Sequence, residues 1–254
     1  MPLLDLKLSC FTSNSLSMCF FQLNNYTALE ISGERVSDFL QGQITSDITQ
    51  SPIKFKTLFC DEKGYVITNA YVIFNDSALI IVKKGVHHIL EENLKKFIKF
   101  YRCSIEVKDV ESYGEYSNGK FFIHPGSKKT DNKDDEWDRL KIVNFDIDIY
   151  ESISHKFRVN ELGYNLDDYV SFDKGCYRGQ EIIARINYLS KGSIKPVIFK
   201  DISKKNFNYL EKEGKFLFST KINGNIFYQF MLREGAEIIK ENTIKPIASL
   251  WEFS

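Results

Sequence analysis

Two turn signals cut residues 57–82 into three short β-rich runs. Asp61-Glu62-Lys63-Gly64 separates the apolar Thr57–Cys60 from the long run Tyr65–Phe74, and Asn75-Asp76 turns that run into Ala78–Val82. Connections this short permit hairpin pairing and no crossover, so the stretch reads as a β-meander. Single elements surround it. Tyr26–Ile31 alternates as a strand that Gly33 ends, and Glu34–Gln41 reads as a short helix with Val36, Phe39 and Leu40 on one side. Leu90, Leu94, Phe97, Ile98 and Tyr101 recur at helical spacing, with Glu91, Glu92, Lys95 and Lys96 opposite, and Cys103–Val107 is a further strand. Hairpins alternating with single helices predict an α+β fold of mostly antiparallel sheets.

Ser127–Asp138 is the most polar stretch and reads as a loop or flexible insertion with solvated charges. From Ile194 onward, short apolar runs are separated by Lys, Asn and Gly, which predicts a small all-β module. The chain therefore divides into residues 1–192 and a C-terminal module over 193–254. The first part can be divided again, with a second subdomain over about residues 50–110.

Composition sets outer limits. At 254 residues the chain can bury a sizeable core. Its 34 basic and 34 acidic side chains balance, so net charge encodes no general attraction to nucleic acid or to an anionic membrane. No apolar run reaches the roughly 18 residues of a membrane span. Leu16–Leu23 is apolar, but no basic segment precedes it and Asp5 is present, so a strand is expected there and not a secretory signal. Cys10, Cys19, Cys60, Cys103 and Cys176 are scattered and odd in number, without a Cys-x-x-Cys pair. Free thiols in a reducing cytoplasm, and no metal site, are the expectation.

Two constellations are weak. Gly114-Glu115-Tyr116-Ser117-Asn118-Gly119-Lys120 matches most of a phosphate-binding loop, but Phe121 stands where Ser or Thr should bind magnesium, and a strand-like run follows in place of a helix. His87, His88, His124 and His155 show no metalloprotease pattern.

The octet Lys174-Gly175-Cys176-Tyr177-Arg178-Gly179-Gln180-Glu181 is the strongest chemical signal. It sets one thiol between two glycines, beside two cations and ahead of a helix-like run, Gln180–Leu189. Cations and a helix N-terminus both favour thiolate, the reactive form of cysteine. A tight turn with a buried, inert cysteine is the competing reading. Glu181 could act as an acid or base, or as a first-turn carboxylate pairing with Arg185 four residues on.

These residues resemble the YgfZ family, relatives of the glycine-cleavage T-protein. The octet has every fixed position of that family's Lys-Gly-Cys-Tyr/Phe-x-Gly-Gln-Glu signature, and Phe39-Leu40-Gln41-Gly42-Gln43-Ile44-Thr45-Ser46-Asp47 resembles its opening segment. The resemblance implies a T-protein-like folate-binding region with a small C-terminal β-barrel-like module. It implies tetrahydrofolate or a one-carbon derivative as cofactor, with Tyr26, Trp137, Asn69, Gln180 and Glu181 at the folate site. Cys176 would be the reactive or cluster-contacting thiol, with Lys174 and Arg178 stabilising its thiolate. The implied role is an accessory factor in the assembly or repair of iron–sulfur enzymes, including tRNA-modifying ones, with no direct nucleic-acid or membrane binding. T-proteins carry an aspartate pair where this chain has Thr68-Asn69. That departure speaks against aminomethyl transfer and leaves a non-catalytic folate-binding scaffold as a third reading. Lys141–Asp146 and Glu161–Tyr164 also depart from the family pattern.

Overall fold

The computed structural model describes residues 18–51, 53–189, 194–233 and 246–249. Its centre is a five-stranded antiparallel sheet. The strands are β2 (Tyr26–Gly33), β3 (Lys54–Cys60), β4 (Val66–Phe74), β5 (Ala78–Lys83) and β6 (Cys103–Lys108), in the order β3-β4-β5-β2-β6. The meander forms as expected, and β2, from ahead of it in the chain, inserts between β5 and β6. The two predicted helices are α1 (Val36–Gln43) and α2 (Val86–Ile98), the latter extended by a 3-10 turn over Lys99–Tyr101. Val86, Leu90, Leu94 and Ile98 of α2 are buried in the main core, as the periodicity requires.

A three-stranded sheet holds β1 (Cys19–Leu23), β7 (Ser112–Ser117) and β8 (Lys120–Pro125), in the order β1-β7-β8. Asn118 and Gly119 take φ of 52° and 78° between β7 and β8, the left-handed pair that a two-residue hairpin demands. Of the two phosphate-loop-like glycines, Gly119 is therefore hairpin punctuation, and Gly114 lies within strand β7. The apolar segment before residue 24 is strand β1; residues 1–17, with Cys10, lie outside the described residues.

Three expectations need correction. The polar stretch 127–138 is no simple loop, because helix α3 (Asp134–Val143) begins within it. Trp137 and Leu140 of α3 are fully buried against Phe21, Phe121 and Ile123, and that contact outweighs the polarity of the flanks. The C-terminal module is not all-β and closes no barrel among the described residues. It is an open sheet, β10 (Gly214–Ile222), β11 (Asn225–Arg233), β9 (Ile194–Lys200) and β12 (Ala248–Ser249), with helix α6 (Lys204–Glu213) packed on it. Ser203 caps α6 by accepting from the Asn206 N–H at 3.2 Å. Phe207 and Leu210 seat the helix on Val197, Phe199, Phe230 and Leu232. Finally, the thiols are not all free: Cys60, Cys103 and Cys176 are, whereas Cys19 is disulfide-bonded. No described helix is long and apolar enough to cross a membrane.

Between α3 and β9 the chain makes only short elements: 3-10 turns at Glu151–Ile153 and Leu166–Asp168, the single-turn α4 (Val159–Leu162), and then α5 (Gln180–Leu189), the helix that follows the octet.

Candidate functional site

A charged network lies buried among the sheets. Lys141 at the end of α3 holds Asp148 at 2.6 Å and Asp146 at 3.3 Å, and it also meets the Tyr71 hydroxyl. Lys56 of β3 holds Asp146 at 2.6 Å, and Lys83 of β5 holds Asp138 at 2.6 Å. Three lysines thus face three aspartates. Buried charge persists only when paired and hydrogen-bonded, and both conditions are met here. Burial alone would raise the Asp148 carboxyl, but Lys141, Lys83 and the bonds from Lys141 and Tyr26 outweigh it and hold it below the usual range. Asp138 goes the other way, because burial dominates over Lys83. Burial, then Asp148, pushes the Tyr26 hydroxyl well up, so it stays a neutral donor.

Three of the residues expected to hold folate meet in this network. Trp137 Nε1 donates to the Tyr26 hydroxyl at 2.8 Å, and that hydroxyl donates to Asp148. Asn69 Nδ2 donates to the other Asp148 oxygen at 2.9 Å, while Asn69 Oδ1 accepts from the Ile149 N–H at 2.9 Å. All three side chains are enclosed by protein. Trp137 packs so closely on β7 that a Cβ at Gly114 would come within 2.6 Å of the indole.

The octet sits apart from that trio. Cys176 is exposed. Lys174 is buried, and its ammonium donates to the carbonyls of Gln41, Ile44 and Ser46, each at 2.8 Å. An ammonium has three donors, so none is left for a thiolate. The cation instead closes the C-terminal end of α1, where free carbonyls collect. Arg178 pairs with Glu62 at 2.6 Å and lies over the Phe97 ring. Gln180 donates to the Lys174 carbonyl at 3.4 Å, and Glu181 is exposed without an ion pair to Arg185. Gly179 takes φ of 80°, and its Cα faces the Asp61–Gly64 turn so tightly that a Cβ would stand 2.6 Å from the Asp61 carbonyl oxygen. The close approach allowed by this glycine is therefore to backbone.

Two residues join the octet to the buried network. Ser46, whose carbonyl Lys174 holds, donates through its hydroxyl to the carbonyls of Lys56 at 2.7 Å and Tyr169 at 2.9 Å. Tyr169 in turn donates through its hydroxyl to Asp146 at 2.8 Å.

A cleft of about 410 Å³ opens beside this junction. Lys54 and Lys56 of β3, Phe121 and Phe122 of β8, and Asp167 and Asp168 of the 3-10 turn line it. Phe121 meets Trp137 edge to face at 5.3 Å, so Trp137 stands directly behind the aromatic wall. Lys120 pairs with Asp168 at 3.2 Å across the cleft. At one edge, Lys54 Nζ lies 3.2 Å from His124 Nδ1, and His124 Nε2 lies 2.9 Å from Glu115. Burial and the nearby Lys54 lower His124, which favours a neutral ring accepting from Lys54 and donating to Glu115. No sequence motif assigns a site role to Lys54, Lys56, Lys141, Asp146 or Asp148. Their one signal was Asp146 and Asp148 alternating with Ile147 and Ile149 just after Lys141, charges set among residues that belong in a core.

No family model matches the chain. It is 28% identical to an uncharacterized protein of Haemophilus influenzae over 204 residues, 71% of this chain and 73% of that protein. It is 26% identical to the tRNA-modifying protein YgfZ of Buchnera aphidicola over 254 aligned positions, 76% of this chain and 80% of the relative. It is also 26% identical to the YgfZ of Colwellia psychrerythraea, with 67% and 68% covered. These are distant homologues. Among solved structures, the glycine cleavage system aminomethyltransferase T of Bartonella henselae superposes with a TM-score of 0.51 at 8% identity, covering 85% of this chain and 78% of that one. The fold is accordingly of the aminomethyltransferase type.

Proposed function

We propose that the chain is a folate-dependent accessory protein of the YgfZ type, supporting assembly or repair of iron–sulfur enzymes, tRNA-modifying ones among them. The observation that carries the folate part is the cleft of about 410 Å³ with aromatic, cationic and carboxylate groups on its walls. That volume lies in the usual range for small-molecule sites. A flat pterin needs an aromatic face and hydrogen-bond acceptors, which Phe121, Phe122, Asp167 and Asp168 offer. The glutamate tail needs cations, which Lys54 and Lys120 offer. When bound, tetrahydrofolate or a one-carbon derivative would supply a carrier for a one-carbon unit. Tyr26, Trp137 and Asn69 would then support the folate site from behind Phe121, and Cys176 would act from the exposed octet beside Gln180 and Glu181.

Aminomethyl transfer fits less well. Asn69 carries no ionisable group and both ends of its amide are bonded inside the protein. The carboxylate beside it, Asp148, is fully enclosed and neutralised by Lys141. The scaffold reading draws support from Lys174, whose three donors serve α1 and not the thiol.

Calorimetric titration with tetrahydrofolate tests the folate part. Binding is expected, weakened by Phe122→Ala and by Lys54→Gln. No detectable heat at millimolar ligand would sink it. Cys176→Ser separates the remaining readings: retained folate binding together with full restoration of iron–sulfur enzyme activity, in a strain lacking the protein, would favour the scaffold.

A further inference from the structure

A second cleft, of about 250 Å³, opens where the segment before α4 and the helix α5 meet the C-terminal sheet. Tyr65, Lys156, Arg158, Glu161, Ile186 of α5 and Lys215 of β10 line it. Three cations and one carboxylate therefore share a small space. The carboxylate is already engaged: Glu161 accepts from the Arg158 backbone N–H at 2.9 Å and pairs with Lys215. Lys156 and Arg158 form no ion pair among the described residues.

Arg158 is the telling member. Its backbone is bridged to Tyr65, and its guanidinium lies over the Tyr65 ring at 5.1 Å. A guanidinium held over a ring face still needs acceptors for its N–H groups. Yet Arg158 Nε is buried with no hydrogen-bond partner among the described residues. A buried donor without an acceptor is costly, and a charged one more so. An acceptor that also carries negative charge would satisfy the nitrogen and offset the cation surplus.

We propose that this notch binds a tetrahedral oxyanion of the phosphate type, either inorganic phosphate or the terminal phosphate of a monoester. Arginine's planar fork matches such oxyanions, and lysines add point charges from the rim. The volume admits a phosphate together with several water molecules. Because its walls come from the segment before α4, from α5 and from β10, a bound anion would tie the octet's helix to the C-terminal sheet. The site uses no residue of the folate cleft, so either reading can fail without the other.

The test is calorimetric titration of the full chain with inorganic phosphate at constant ionic strength, with chloride as reference and methyl phosphate in parallel. Saturable phosphate binding is expected, weakened roughly tenfold or more by Arg158→Gln. Glu161→Gln should strengthen it about fivefold by removing the like charge. Lys156→Gln, a change at an exposed position, serves if Arg158→Gln fails to fold, and should weaken binding severalfold. Methyl phosphate binding as tightly as phosphate assigns the ester end as the ligand, whereas much weaker binding assigns the free ion. Phosphate heats indistinguishable from chloride overturn the proposal, as does binding left unchanged by both Arg158→Gln and Lys156→Gln.

Discussion

The Trp137 indole N–H donates to the Tyr26 hydroxyl at 2.8 Å, and the same hydroxyl donates to Asp148. Two aromatics read from sequence as folate platforms therefore form one internal relay. Trp137 reaches the cleft only through Phe121, which it meets edge to face. Trp137→Phe should lower stability by about 1–3 kcal/mol, through the lost bond and the space left at Gly114. Tetrahydrofolate affinity should change by less than roughly threefold. Urea denaturation and calorimetry on the same variant check both halves, and an affinity loss of about a hundredfold would put the indole against the ligand.

Lys141 and Asp148 form the most deeply buried ion pair of the network. Asp148→Asn leaves the Lys141 ammonium short of its closest carboxylate, and about 3–5 kcal/mol of stability should go with it. Replacing both, as Lys141→Met with Asp148→Leu, should cost less than that single change. The pH dependence follows from the lowered Asp148 carboxyl. The unfolded chain holds that proton more tightly, so the contribution is fully present above the ordinary aspartate value near 3.9. It disappears as pH falls through the lower, folded value. Denaturation curves of both proteins should therefore converge only in acid below about pH 4. Convergence near neutrality would contradict the pairing.

Much of the fold was legible because local rules govern it. The turns at Asp61–Gly64 and Asn75-Asp76 set the meander, and the Leu90–Ile98 periodicity set α2. What stayed hidden depends on contacts distant in sequence. Trp137 is buried by Phe21, about a hundred residues earlier, so its polar neighbours Asp134, Asp135 and Glu136 gave a loop reading to a helix start. Helix α6 has the apolar pair Phe207 and Leu210 in a run otherwise rich in Lys, Asn and Glu, too sparse to outvote the β-like runs around it. At the site, the octet announced Cys176, but not that Lys174 would turn to α1, because its acceptors lie some 130 positions away. The cleft's Lys54 and Phe122 belong to two different sheets and carry no joint signal along the chain.

Gly175 and Gly179 flank the same cysteine but differ physically. Gly179 has φ of 80° and no room for a Cβ against the Asp61 carbonyl, whereas nothing approaches within 4 Å of a Cβ at Gly175. Gly179→Ala should cost about 1–3 kcal/mol or more, and Gly175→Ala should stay within about 0.5 kcal/mol. Paired thermal melts decide it. Equal losses would mean that the turn is not held by its contact with Asp61–Gly64.

Burial lowers the Lys174 amine to about 8, against the opposing pull of Asp47. The unfolded chain then binds more protons between about 8 and the ordinary lysine value near 10.4, so stability should rise with pH across that window. Lys174→Met removes this slope. At neutral pH it also leaves three carbonyls at the end of α1 without their donor, so the variant should be less stable there. Urea midpoints of both proteins from about pH 7 to about pH 10 test the sign. Parallel pH profiles would refute the assignment.

Cys176 is exposed, Cys103 is half-buried and donates to the Tyr101 carbonyl at 3.3 Å, and Cys60 is fully buried. Burial, reinforced by Asp61, pushes the Cys60 thiol far up, and its thiolate fraction near neutrality is negligible. Alkylation requires both access and thiolate. Near neutral pH, Cys176 should react first, Cys103 next, and Cys60 only on unfolding. Cys176→Ala removes an exposed side chain and should change stability by less than about 0.5 kcal/mol, so any loss of function in that variant reports chemistry and not folding. A mass-spectrometric time course that labels Cys60 or Cys103 ahead of Cys176 would exclude the octet as the reactive thiol.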